Sequence, residues 1–170
     1  MIEQGLKEDK MEQEIYTNED SQNKYLIFSV GEESYGIRIT YVTEVIEIEE
    51  ITKVPDLPEY VKGIINLRGK IIPVTDVRLR FGKEEKEYDE MTCIIVVDID
   101  GLSFGLIVDG VREVVSMSEA EIAPPPSMGR NDSVKDFLEG IGKKNNEIWL
   151  FIDCLKLLES ANSDSVLSMI

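Results

Sequence analysis

The chain carries an internal duplication. Slid along itself by 69 residues, YLIFSVGEESYGIRITYVTEVI from Tyr25 lies without a gap on IIVVDIDGLSFGLIVDGVREVV from Ile94. Ser34, Gly36, Val42, Glu44 and Val45 fall on Ser103, Gly105, Val111, Glu113 and Val114, and Tyr35 falls on Phe104. A shift of 77 places YVKGIINLRGKIIPVTDVRLRF on FLEGIGKKNNEIWLFIDCLKLL, matching Gly63, Ile64, Ile71 and Asp76 to Gly140, Ile141, Ile148 and Asp153. The eight extra residues fall in a proline-rich stretch, where a longer loop costs little. Apolar positions, turn residues and a helix cap recur in one order, which is the signature of a repeated supersecondary unit.

Each unit reads strand, strand, short helix, strand, hairpin, short helix. Tyr25–Val30 and Ser34–Ile39 form a hairpin across Gly31-Glu32-Glu33. Val42, Val45 and Ile46 fall at helical spacing. Ile48–Val54 is extended, since Pro55 and Pro58 exclude helix. Gly63–Leu67 and Lys70–Thr75 turn around Arg68-Gly69, and Asp76 caps VRLRF. Short strands in units of about 60 residues predict a mainly β chain of two small barrels with short helices. One such unit buries a limited core, so the two are expected to pack together around a groove. The expected divisions are an acidic tail at 1–23 and a folded region at 24–158. That region holds a first unit at 24–81, a charged connector at 82–90 and a second unit at 91–158, with any strand exchange between them left open. A polar stretch follows the prolines from Ser127 to Ser133. Residues 159–170 form a second tail that ends in the apolar tag Val166–Ile170.

Charge and composition narrow the function. The 170 residues hold 34 acidic and 18 basic side chains, a net charge of −16. That balance opposes binding to nucleic acid or to an anionic membrane surface. Histidine is absent, which removes the usual general base and the commonest metal ligand. Serine and cysteine then lack the usual activating partner, and neither phosphate-binding glycine motif occurs. Cys93 and Cys154 sit in apolar runs and read as buried thiols, with a disulfide between them a second possibility. No apolar run reaches the ~18–20 residues that span a bilayer, and no signal peptide is read, so a cytoplasmic location is expected.

Asp76, Asp98, Asp100, Asp109 and Asp153 could be read as a carboxylate or metal site, and a metal-dependent hydrolase using Asp98 and Asp109 is one alternative. Caps and turns account for the same residues more simply. Asn66-Leu67-Arg68-Gly69 can be an ordinary turn with Arg68 solvated. Alternatively, Arg68 pairs with Glu44, on the polar face of the predicted first-unit helix, and the two mark a directional binding surface. Val42, Val45, Val111 and Val114 fit either core or the lining of the groove. Expected catalytic, cofactor and metal residues are none, and another reading is an interaction module of some other signalling pathway.

The residues that carry these readings resemble the CheW family of chemotaxis coupling proteins. The likeness runs from about Tyr25 to Leu158. It rests on Gly63, Asn66, Arg68, Gly69, Pro73 and Asp76, followed in order by Gly105, Val108, Asp109 and Val111. The resemblance implies two five-stranded SH3-like barrels packed together and a non-enzymatic adaptor. Its implied partners are the regulatory domain of the histidine kinase CheA and the cytoplasmic tip of methyl-accepting chemoreceptors, in arrays under the membrane. By position it implies a receptor and coupling surface at Val42, Glu44, Arg68 and Val111, with Gly63, Asn66 and Gly69 supporting the turn. It assigns kinase contacts to no particular residue.

Overall fold

A computed structural model describes residues 23–125 and 134–159. Residues 1–22, 126–133 and 160–170 lie outside the described residues, and with them most of the expected tails at 1–23 and 159–170 and the Ser127–Ser133 stretch. The chain runs through β1 (Lys24–Val30), β2 (Glu33–Arg38), β3 (Val42–Glu47), β4 (Val61–Leu67), β5 (Lys70–Asp76) and helix α1 (Val77–Arg80). It continues through β6 (Cys93–Ile99), β7 (Leu102–Val108), β8 (Gly110–Ser116), β9 (Ile122–Ala123), β10 (Leu138–Lys144), β11 (Glu147–Ile152) and α2 (Cys154–Leu157). Single 3-10 turns precede β3, β9 and β10.

The strands form two sheets, ordered β3-β6-β7-β5-β4 and β8-β1-β2-β11-β10-β9. The duplication maps one order onto the other, strand for strand. Among the described strands, β9 alone lacks a full counterpart. Its place in the first sheet is held by a single bridge from Thr52 to Ile64. Each sheet takes one hairpin from the other half of the sequence: β6–β7 sits among β3–β5, and β1–β2 sits among β8–β11. The chain is mainly β, and its two β subdomains pack together.

Burial explains the long apolar runs. Along β6, Cys93, Ile95, Val97 and Ile99 enter the largest apolar cluster, which draws on both sheets. The alternate residues Ile94 and Val96 enter a smaller cluster inside the first barrel. β1 does the same, with Leu26, Phe28 and Val30 in the shared cluster and Tyr25 and Ile27 inside the second barrel. A strand buried on both faces reads as continuous rather than alternating apolar sequence.

The close parallel contacts fix the glycines. Gly36 on β2 is the partner of Phe151 on β11, and Gly105 on β7 is the partner of Val74 on β5. A Cβ on Gly36 would lie 2.7 Å from the Phe151 ring, and one on Gly105 would lie 2.6 Å from Val74 Cγ1. The repeat keeps glycine at both places because a neighbouring side chain fills the space.

The predicted helix at Val42–Ile46 is strand β3, and its counterpart at Val111–Val114 belongs to β8. A bulge explains the misleading spacing. On β3 the pairing with β6 shifts between Val42 and Glu44, and on β8 the pairing with β1 shifts between Val111 and Glu113. The extra residue changes the facing of the side chains after it. Val42 and Val45, three apart, therefore both reach the shared cluster. Ile48–Val54 forms no named strand, and only Thr52 makes a bridge. Cys93 and Cys154 are buried and unbridged. Burial, with a smaller effect from the Asp153 carboxylate, pushes the Cys154 thiol up to about 12.

Candidate functional site

β3 and β4 are opposite edges of the five-stranded sheet, yet Glu44 on β3 accepts a hydrogen bond from Arg68 in the β4–β5 turn. The sheet must curl for its edges to meet, so this ion pair spans the mouth of the first barrel. Glu44 pairs in register with Val96, whose side chain lines that barrel. The Glu44 side chain is 22% exposed and that of Arg68 is 71% exposed. The carboxylate is half-held by the rim while the guanidinium reaches into solvent.

The turn that presents Arg68 is locally determined. Arg68 and Gly69 have φ of +51° and +83°, as a two-residue type I′ hairpin requires. The Asn66 side-chain oxygen accepts the Gly69 N–H at 2.9 Å. Asp98 accepts the Gly101 N–H in the same way, at 3.0 Å, and Asp100 and Gly101 repeat the backbone, at +52° and +83°. In the second barrel Asn145 and Asn146 turn with φ of +52° and +64°. Asn145 stands where Arg68 stands, so the second mouth lacks this cation.

The other expected site residues are placed differently. Gly63 is not part of the turn. It sits at a bulge in β4 with φ of +147°, where a Cβ would lie 2.1 Å from the Thr52 carbonyl oxygen. Its role is to admit the 48–54 segment, which exchanges backbone hydrogen bonds of 2.9 Å between Thr52 and Ile64. Val42 is 6% exposed and belongs to the shared core, so it supports the rim from beneath rather than lining it. Val111 is part-buried against the same cluster but lies on β8, in the other sheet. Glu44 and Arg68 are thus brought together, and Val111 is not joined to them within one sheet.

The aspartates are structural. Asp76 and Asp153 accept N–H bonds from the first turns of α1 and α2. Asp76 is buried and also accepts the Tyr88 hydroxyl at 2.8 Å. Burial and this bond raise the Tyr88 phenol well above its usual range. Asp109 pairs with Arg78 at 2.7 Å and accepts the Gly31 N–H at 2.7 Å. Asp98 and Asp109 stand at opposite ends of the β6–β7 hairpin, roughly 17 Å or more apart at ~3.4 Å per residue. The metal-dependent alternative therefore fails on geometry. Among the described residues, no three His, Cys, Asp or Glu side chains are grouped to hold an ion. Sequence reasoning missed Arg78 and Thr52. Arg78 comes directly after Val77 in the helix that Asp76 caps, but nothing local announces its long-range partner.

Two packed small barrels, with an Arg68–Glu44 ion pair at one mouth and Asp76 and Asp153 committed to helix caps, define the class of fold. The family comparison gives it a lineage. The CheW-like domain model matches residues 24–162, and the chain belongs to that family. The chain is 35% identical over 137 residues to chemotaxis protein CheW of Klebsiella aerogenes, covering 81% of this chain and 82% of that one. It is 33% identical over 155 residues to chemotaxis protein CheW of Bacillus subtilis, covering 91% and 96%. Among solved structures, the scaffolding protein TtCheW of Thermoanaerobacter tengcongensis superposes with a TM-score of 0.74 at 43% identity, covering 81% of this chain and 93% of that chain.

Proposed function

We propose that this chain is a non-enzymatic chemotaxis adaptor that couples methyl-accepting chemoreceptors to the histidine kinase CheA. Family membership across nearly the whole described chain is the observation that carries the reading. Its partners on this account are the regulatory domain of the kinase and the cytoplasmic tip of the receptor. Two surfaces on one small body raise the effective concentration of one partner near the other. None of the helices among the described residues is long and apolar enough to cross a membrane. The chain reaches the receptor array from the cytoplasm, through its partners.

The receptor surface on this reading centres on Arg68 and Glu44 at the first barrel mouth, with Val111 contributing from the second sheet. Val42 acts through the packing beneath the rim, and Asn66 and Gly69 set the turn that presents Arg68. An exposed ion pair is worth only about 0–1 kcal/mol to folding, so its use here is directional. Equilibrium binding to a purified receptor-tip fragment and to the kinase regulatory domain tests the assignment. Binding of both, each reduced or enhanced by the other, is expected. Failure to bind either one removes the adaptor reading.

A further inference from the structure

The seam between the barrels has a feature that the duplication does not repeat. Tyr60 and Phe137 occupy matching positions, directly before β4 and directly before the Leu138 start of β10. The Tyr60 carbonyl accepts the Asp76 N–H at 2.7 Å, and the Phe137 carbonyl accepts the Asp153 N–H at 2.8 Å. The Arg80 guanidinium lies against both rings. Its Cζ is 4.5 Å from the Tyr60 centroid and 4.4 Å from the Phe137 centroid. Its Nε donates to the Leu157 carbonyl at 3.1 Å, and Leu157 is the counterpart of Arg80 in the second unit. One cation from the first unit thus meets equivalent residues of both.

A planar guanidinium can stack on aromatic faces while donating in its own plane, which an ammonium cannot do. Desolvation strengthens the attraction to each ring, and Phe137 is 6% exposed. Phe81 extends the contact inward, stacking on Phe137 at 6.0 Å and meeting Tyr35 at 4.9 Å. The loop ending at Tyr60 feeds β4, and β4 leads to the Arg68 turn.

We propose that Arg80 is a positioning residue that ties the loop before β4 to the loop before β10, so that displacement of one is felt at the other barrel. Its use in signalling rests on the adaptor reading, because it links the Arg68 mouth to the second barrel. The tie itself is a property of the isolated chain.

Amide hydrogen exchange on the full chain tests it, read at Asp76 and Asp153. Arg80→Met is expected to speed exchange at both amides about tenfold, with the strand amides of Ile95 and Leu106 unchanged. Arg80→Lys should fall between. The sharper variant is Tyr60→Leu, which removes one ring from the first barrel. It is expected to speed exchange at Asp153, in the second barrel, about fivefold. A purely local role would alter Asp76 alone, and that result overturns the proposal. Should Arg80→Met fail to fold, Tyr60→Leu and Arg80→Lys still decide. In a parallel measurement, kinase-domain affinity is read with and without the receptor-tip fragment. Arg80→Lys should bring that ratio closer to one while the affinity for each partner alone stays within about twofold. A ratio of one in the unsubstituted chain would count against the adaptor reading, whereas the exchange result alone judges Arg80.

Discussion

Gly36 and Gly105 show how a single hydrogen atom can be a fold determinant. Neither has positive φ, so backbone freedom is not the reason for glycine. Each lies under the side chain of its parallel partner, Phe151 or Val74. Gly36→Ala is expected to destabilise the chain by about 1–3 kcal/mol, as overpacked cores do, and urea unfolding measures it. Arg68 is the opposite case. Its side chain is 71% exposed, so Arg68→Glu should change stability by less than about 1 kcal/mol. The same substitution places two carboxylates together at the barrel mouth and is expected to abolish receptor-tip binding. Glu44→Arg in that background should restore part of it, with calorimetry as the readout. The Glu44–Arg68 pair was legible because Arg68 stands in a turn marked by Asn66 and Gly69, and Glu44 is a charged residue between Val42 and Val45, which are buried. The part played by Gly63 was not, because the backbone it admits, at Thr52, is distant in sequence and bears no motif.

At the level of elements, bulges and caps behave differently as signals. Asp76 and Asp153 were readable caps because an N-cap bond is local, spanning two or three residues. The helical spacing of Val42, Val45 and Ile46 misled because a bulged strand also puts residues three apart on one face. Only the partner strand shows which applies. The same limit hid the role of Asp109. It joins α1, through Arg78, to the β1–β2 turn, through Gly31, and both carboxylate contacts come from far along the chain. Arg78 and Asp109 are 18% and 16% exposed. Asp109→Ala would leave a largely buried guanidinium without its carboxylate, holding only the Glu84 carbonyl, and is expected to cost about 2–4 kcal/mol. Asp153→Ala, which removes one cap, should cost about 1 kcal/mol. Thermal unfolding of the two variants should keep that order.

The whole molecule is organised by exchange. Each sheet needs a hairpin from the other half of the sequence, so the duplication visible in the sequence is not a pair of self-contained bodies. The sequence repeats, the turns and the mainly β character were all readable. The exchange was not, because both possible hairpin placements bury the same apolar faces. Stability also has a predictable alkaline limit. Cys154 ordinarily loses its proton near 9 and is held to about 12 in the folded chain. A raised value contributes stability that is whole below about pH 9 and is lost as pH climbs toward 12. Urea midpoints should therefore fall across that window, and Cys154→Val should flatten the fall. The remaining decline would reflect other groups, including Tyr88, whose phenol is also raised.

Coupling of receptor to kinase can be reconstituted from purified parts. Receptor in vesicles, purified kinase and this chain are combined, and phosphoryl transfer to the kinase is monitored. Addition of the chain should raise receptor-dependent kinase activity several-fold, and Arg68→Glu should leave the kinase at its receptor-free level. Kinase activity indifferent to the chain, or equal activation by Arg68→Glu, would show that the chain does not couple the two through the Arg68 mouth.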